Sequence, residues 1–187
     1  MELELEEAIR GRYSAKIFDD EPVSREIIVK CLDAAIWAPN HHLTQPWRFI
    51  GVDGDNRQNF AGLMEQAASN HHPTPTTGRQ RRKILSAPTI VVVYSEKGEN
   101  PRQTTENYAS TSAVVQNFLL MLHDNALGAI WRTDPIYDDA DIRSRLGVAA
   151  DAVFVAAVFV GHPIGRVIRR KRDSLAGKLT WWTEGAN

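Results

Sequence analysis

Cysteine is nearly missing from this chain. Cys31 stands alone among 187 residues, which excludes an internal disulfide and any zinc site built on several thiolates. A reducing cytoplasm is the compartment that such usage fits. No secretory leader is expected at residues 1–7, which carry four Glu where a signal peptide needs a basic start and an apolar run. Long apolar runs are missing too. Val153–Val160 falls far short of the roughly 20 residues that a membrane span needs. There is no excess charge of either sign. Lys plus Arg is 22 and Asp plus Glu is 23, a net −1, whereas proteins that coat nucleic acid are usually strongly basic. Three signature loops are absent: GxGxxG for dinucleotides, GxxxxGK[ST] for nucleoside triphosphates and the GxSxG elbow.

What is present describes one ordinary domain, residues 1–187. A 20.9 kDa chain of this length buries roughly 70% of its unfolded surface, so it needs no staple. Hydrophobic residues at 43% and charged residues at 24% exclude a disordered chain, a coiled coil and a collagen-like repeat. Helices alternate with short apolar strands. Residues 3–10 predict a first helix, and Ser24 caps a second that runs to Trp37, with Pro39 just beyond. Strands are predicted at 47–52, 89–94, 128–132 and 153–160. Further helices are predicted at 56–69, 79–85, 107–125 and 138–146, the last ended by Gly147. Gly128 is placed to follow the long helix at 107–125. The 70–78 stretch, NHHPTPTTG, reads as a lid or a plain connection. The fold class is α+β, a central mixed or antiparallel sheet flanked by helices.

Four constellations could carry chemistry. Arg12, Ser14 and Lys16 share one side of an extended segment; such a row suits a phosphate, or is a solvated helix end with scattered charge. Ala38–Trp47 is a polar loop between a helix and a strand. Its His41–His42 pair, like His71–His72, lacks an HExxH pattern or a Cys partner, so no metal site is expected. Gly128–Pro135 ends a strand with Trp131, Arg132 and Thr133; ligands commonly sit beyond strand ends, but a core Trp beside a surface Arg reads equally well. Arg166–Arg172 is a basic run, a polyanion patch, a solvated tail or an anion clamp. The run Arg79–Lys83 reads as a solvated helix face, and Cys31 as a buried structural thiol.

Taken in order, RYSAKIFDDEPV (12–23), LDAAIWAPNHHLTQPWRF (32–49), SAPTIVVV (86–93), HDNALGAIWRTDP (123–135) and VFVGHPIG (158–165) with the basic residues behind it resemble the FMN-dependent nitroreductase family, in its short single-domain branch. The resemblance implies a homodimer with FMN sites at the subunit interface and NADH or NADPH as donor. It implies that Arg12, Tyr13 and Ser14 hold the flavin phosphate and ribityl chain, and that Lys16 approaches the pyrimidine edge of the ring. His41 falls on a loop reaching the other subunit's flavin. Trp131, Arg132 and Thr133 fall along the isoalloxazine, and Arg170 and Arg172 close on the phosphate. Tyr13 stands where a second Arg or a His is common, and Trp37 where short members can place an Arg toward the flavin. The implied reaction is hydride transfer through flavin N5 to a nitroaromatic or quinone-like small-molecule acceptor, in a cytoplasmic protein without nucleic-acid or membrane partners. No side-chain nucleophile is required. Dehalogenation, flavin fragmentation, a non-catalytic flavin carrier and a polyanion-binding module are the other readings.

Overall fold

The computed structural model describes residues 4–71, 78–165, 167 and 171–184. Its centre is a sheet of β1 (Trp47–Asp53), β2 (Thr89–Ser95), β3 (Gly128–Arg132) and β4 (Val153–Gly161), in the order β1-β2-β4-β3. All three pairings are antiparallel. The central strands β2 and β4 are apolar along nearly their whole length because both of their faces are covered. Alternate side chains then enter two different cores. Ile90, Val92 and Tyr94 join the first, with Phe60, Met64 and Ile84; Val91 and Val93 join the second, with Cys31, Val114 and Phe118.

Helices α3 (Asn56–His71), α4 (Arg79–Ile84) and α6 (Ala140–Arg145) cover the first face, and α2 (Arg25–Ala35) and α5 (Pro101–Asp124) the second. Ser24 caps α2 by accepting the Ile27 N–H at 3.3 Å. Along α5, Val114, Val115, Phe118, Leu119 and Leu122 are all buried, a broad stripe of the kind a helix shows when packed on several sides. Burying Phe118 or Leu122 stabilises the fold by about 1.5–3 kcal/mol each. The Cys31 thiol lies wholly inside, and burial pushes its pKa up to about 11.

Three boundaries differ from expectation. Helix α5 starts six residues earlier than its apolar pattern, at Pro101 rather than 107. Asn100 accepts the Gln103 N–H at 2.9 Å and Pro101 takes the first helical position, so capping rather than periodicity sets this end. The 138–146 region divides into a 3₁₀ turn at Pro135–Asp138 and α6, because Asp139 interrupts the helix to cap α6 through the N–H groups of Asp141 and Ile142. Gly128 does not end α5. That role falls to Ala126, at φ +59°, with Leu127 N–H bonding Leu122 O and Ala126 N–H bonding His123 O. The same left-handed closure ends α6, where Gly147 (φ +66°) occupies it without a Cβ penalty.

One irregularity in the sheet bears on the site. Tyr94 pairs with Phe154 and Val93 with Ala156, leaving Val155 as an unmatched residue on β4. Val155 and Ala156 therefore both face the second core.

Candidate anion and ring-binding site

After α1 (Leu5–Gly11) the chain runs extended along the outer edge of β3. Ser14 bridges Ala129 in parallel and the Ala15 N–H donates to Ala129 O at 3.0 Å. Phe18 then bridges Pro163, and Ile164 N–H donates to Ile17 O at 3.1 Å. The segment is thus zipped between β3 and the residues after β4. Ala15 points into the core between the exposed Ser14 and Lys16, as alternation demands; the alternation breaks at the exposed Ile17, and Phe18 is again buried. Gly128 explains the close approach: a Cβ there would lie 2.8 Å from both Ala15 Cβ and Pro163 Cβ.

An open cavity of about 970 Å³ lies along this row. Arg12, Tyr13, Ser14 and Lys16 line it from one end of the chain, and Pro163, Ile164, Gly165, Lys171 and Arg172 from the other. Burial holds the Arg12 guanidinium below its ordinary pKa, and the nearby positive charge of Arg172 adds to the effect. Three guanidiniums, two ammonium groups and the Ser14 hydroxyl line this cavity together with the carboxylates of Glu6 and Asp173, so cationic donors outnumber the acidic groups. The set matches a phosphate, which accepts several charge-assisted bonds at once. Tyr13 lies against α5, its ring edge-on to His123 at 6.5 Å.

Beyond the row, β3 ends in Trp131, Arg132 and the exposed Thr133. The two larger side chains take opposite faces. Trp131 packs on the second core and donates its indole N–H to Val155 O at 3.1 Å, so the unmatched residue of β4 supplies the carbonyl that fixes this ring. Arg132 lies over the Phe159 ring at 4.8 Å, with its Nε buried and making no hydrogen bond among the described residues. Next comes Asp134. It accepts from Lys83 Nζ at 2.7 Å and Gln80 Nε2 at 3.3 Å, and its other oxygen caps Ile136 N. Burial works to raise the Asp134 pKa, but these bonds outweigh it and hold the carboxyl below its usual range. Lys83 is therefore no solvated helix-face residue, since its side chain is only 22% exposed. The start of α4 is held from afar as well: Glu65 accepts the N–H groups of Gly78, Gln80 and Arg81.

The 40–45 loop is built differently. His42, Leu43 and Gln45 take φ values of +54°, +52° and +46°, and each left-handed residue of this kind costs about 1–3 kcal/mol. Two asparagines hold the loop there. Asn40 Oδ1 accepts the Gln45 N–H at 3.0 Å. Thr44 Oγ1 donates to Oδ1 of buried Asn107 on α5 at 3.2 Å, and Asn107 Nδ2 donates to Glu96 O. The loop projects an exposed His41, 4.0 Å from Glu106 Oε2 and with its ring tilted against that of His42, beside Leu43 at 76% exposure. Trp37, beyond the end of α2, is also exposed.

The structure thus brings Arg12, Tyr13, Ser14, Lys16 and Arg172 onto one cavity. Trp131 and Arg132 at the end of β3, Thr133 just after it, Trp37 and His41 do not line that cavity. Arg170 lies outside the described residues, as does most of the 70–78 stretch. The sequence marks Lys171, which lines the cavity, only as part of the 166–172 basic run, and it gives no sign of Asn107, whose role depends on a contact with a distant loop. Among the described residues no cluster of His, Cys, Asp or Glu could hold a metal, and no helix is long and apolar enough to cross a membrane.

Known proteins resemble this chain in sequence and fold. The model of the Nitroreductase family matches residues 9–162. A Bacillus subtilis (strain 168) protein named "Putative NAD(P)H nitroreductase YfhC" is 27% identical over 180 residues, covering 94% of this chain and 93% of its own. The crystal structure of a nitroreductase-like family protein from Bacillus cereus superposes with a TM-score of 0.85 at 24% identity, covering 99% of this chain and 98% of that one. A Desulfovibrio desulfuricans structure, described as a putative nitroreductase in complex with FMN, is 28% identical with a TM-score of 0.74, covering 98% and 99%. With a family model spanning both the row at 12–16 and the strand end at 131–133, the chain belongs to the Nitroreductase family.

Proposed function

We propose that two copies of this chain form an FMN-dependent NAD(P)H oxidoreductase that reduces nitroaromatic or quinone-like acceptors in alternating half-reactions. The observation that carries this reading is the cavity on which Arg12, Ser14, Lys16, Lys171 and Arg172 converge beside β3. Its donor set fits the group. A nearly dianionic phosphate satisfies Arg12, Ser14 and Arg172, and Arg170 belongs to the same basic run. In this reading Lys16, farther along the row, serves the pyrimidine edge of a flavin ring, and the strand-end segment of Trp131, Arg132 and Thr133 runs along its length. Bound FMN would supply hydride acceptance and donation at its N5. This chain's residues bind and orient it. Lys16 stabilises negative charge on the reduced ring, which favours reduction. Trp131, tied to Val155 O, keeps the strand end rigid.

The homodimer rests on surface chemistry. Trp37, Trp181 and Trp182 are 88%, 81% and 85% exposed in one copy, an apolar surface that a second copy would bury. In such a dimer the 40–45 loop serves the flavin of the other subunit through His41. A cytoplasmic location suits a chain whose single thiol is buried and unpaired.

The reading is tested by mixing the flavin-loaded protein anaerobically with NADH or NADPH, then with menadione or nitrobenzene. Bleaching of the flavin band and its return on adding acceptor are expected. A loaded protein that neither nucleotide bleaches would be a flavin carrier and not a reductase.

A further inference from the structure

We infer that Gln80, Arg132 and Tyr137 form a buried polar site for one ordered water molecule, which ties the end of β3 to α4 and to the 3₁₀ turn at Pro135–Asp138. None of the three residues lines the cavity of about 970 Å³, so this site is separate from the one proposed for a flavin.

Three side-chain atoms here are shielded from solvent and make no hydrogen bond among the described residues: Arg132 Nε, Gln80 Oε1 and the Tyr137 hydroxyl. A buried polar atom left unpaired is costly, and proteins satisfy nearly all of them with a neighbour or an internal water. All three belong to the surroundings of Asp134. The Gln80 amide reaches that carboxylate through Nε2 at 3.3 Å. Tyr137 lies in the turn that Asp134 caps, and its N–H donates to Asp134 O at 3.1 Å. Burial pushes the Tyr137 phenol pKa up, the charges of Asp134 and Tyr94 add to this, and Arg132 works the other way. Arg132 stands two residues before Asp134, yet forms no ion pair with it, because the carboxylate is committed to Lys83 at 2.7 Å.

The three groups do not pair with one another, because each is anchored elsewhere. The Arg132 guanidinium lies over the Phe159 ring at 4.8 Å. The Tyr137 ring stacks on Phe154, centroids 4.7 Å apart and planes 9° from parallel. Gln80 is turned by Asp134: its nitrogen must face the carboxylate, which leaves its oxygen without a donor. Their chemistry is nonetheless complementary. Arg132 Nε only donates, Gln80 Oε1 only accepts, and a phenol does either. One water accepts from Arg132, donates to Gln80 and takes Tyr137 with its remaining capacity, and three bonds are what a buried water typically makes. Other small occupants fit worse. An anion meets the Gln80 oxygen and the Asp134 charge, and a cation meets Arg132 and Lys83.

The test combines crystallography with thermal unfolding of the full chain. A crystal structure that resolves ordered water should place a single water within hydrogen-bond distance of Arg132 Nε, Gln80 Oε1 and Tyr137 Oη. Tyr137→Phe removes one partner and keeps the stacked ring. With water on the hydroxyl, this variant loses a hydrogen bond, and its unfolding temperature should fall by about 2–4 °C, the shift that one net hydrogen bond gives in a chain of this size. With an orphaned hydroxyl, the same change relieves a buried polar atom, and the temperature holds or rises. Gln80→Leu should lower the unfolding temperature less in the Tyr137→Phe background than alone, because both residues bond the same water. Any of four results overturns the inference: no water between the three residues, direct bonds among them instead, a Tyr137→Phe protein as stable as the parent or more so, or strictly additive losses in the double variant.

Discussion

Residues 12–18 and residues 40–45 both carry polar side chains to the surface, yet they are held by opposite means. The first segment is extended and unstrained. Its backbone is zipped to Ala129 and its small and aromatic residues, Ala15 and Phe18, are buried. The second is left-handed at three positions and is held by side chains, Asn40 and Asn107. In the proposed site the row would bind through what its residues are: two cations and a hydroxyl on one side. The loop is distinguished instead by the shape it is forced into. A ligand's charged end suits the first kind of segment, because charge-assisted bonds tolerate small displacements in long side chains. A ring surface suits the second, because dispersion attraction fades when a wall moves by a fraction of an ångström.

The largest expected effect lies in the row. Arg12→Ala removes a charge-assisted bond worth about 1.5–3 kcal/mol, so FMN should bind roughly 10- to 100-fold more weakly. Fluorescence titration of the apoprotein measures this, and unchanged affinity would remove Arg12 from the phosphate site. Gly128→Ala strikes the seat of the row and spares the loop. Its Cβ would collide with Ala15 and Pro163, costing about 1–3 kcal/mol. Thermal unfolding should record the loss, and FMN affinity should fall with it. Unchanged FMN affinity in the destabilised variant would separate the row from the flavin site.

A smaller effect is expected at the strand end. Asp134 has its folded pKa depressed, so its contribution is present above the unfolded carboxylate value near 4 and is lost as pH falls through the lower folded value. Asp134→Asn should cost about 1 kcal/mol at neutral pH and should show a shallower loss of stability on acidification than the parent. Parallel acid curves would contradict the assignment.

The smallest effect concerns backbone strain. Ala126→Gly relieves about 1–2 kcal/mol at the left-handed residue behind α5 against about 0.4–1 kcal/mol of added unfolded-chain entropy, so stability should rise by up to about 1 kcal/mol with acceptor rates unchanged. Leu43→Gly should stabilise through the same relief. If neither substitution raises the unfolding temperature, these residues store no strain.

The parts legible in the sequence are those whose signal is local. The apolar runs of β2 and β4, the Ser24 cap and the Gly147 stop are each contained in a few neighbouring residues. The row at 12–16 is equally plain, because the alternation of an extended strand places its cations together. The illegible parts depend on distant partners. Asn107 finds Thr44, Glu65 caps α4, and Lys83 meets Asp134, each across a stretch of chain that no spacing rule connects. The Val155 irregularity is hidden for another reason: an unbroken apolar run such as VFVAAVFV conceals which residue has no cross-strand partner. Ala126 is easily passed over in favour of Gly128 because glycine advertises a left-handed turn, whereas Gly128 is needed for room.

The most direct test of the central claim is the absorption spectrum of the purified protein, taken before and after incubation with FMN and desalting, with the released chromophore identified by mass. The account predicts a flavin spectrum, FMN as the chromophore, and one flavin per chain in a dimer. A colourless protein that retains no FMN after incubation would contradict it.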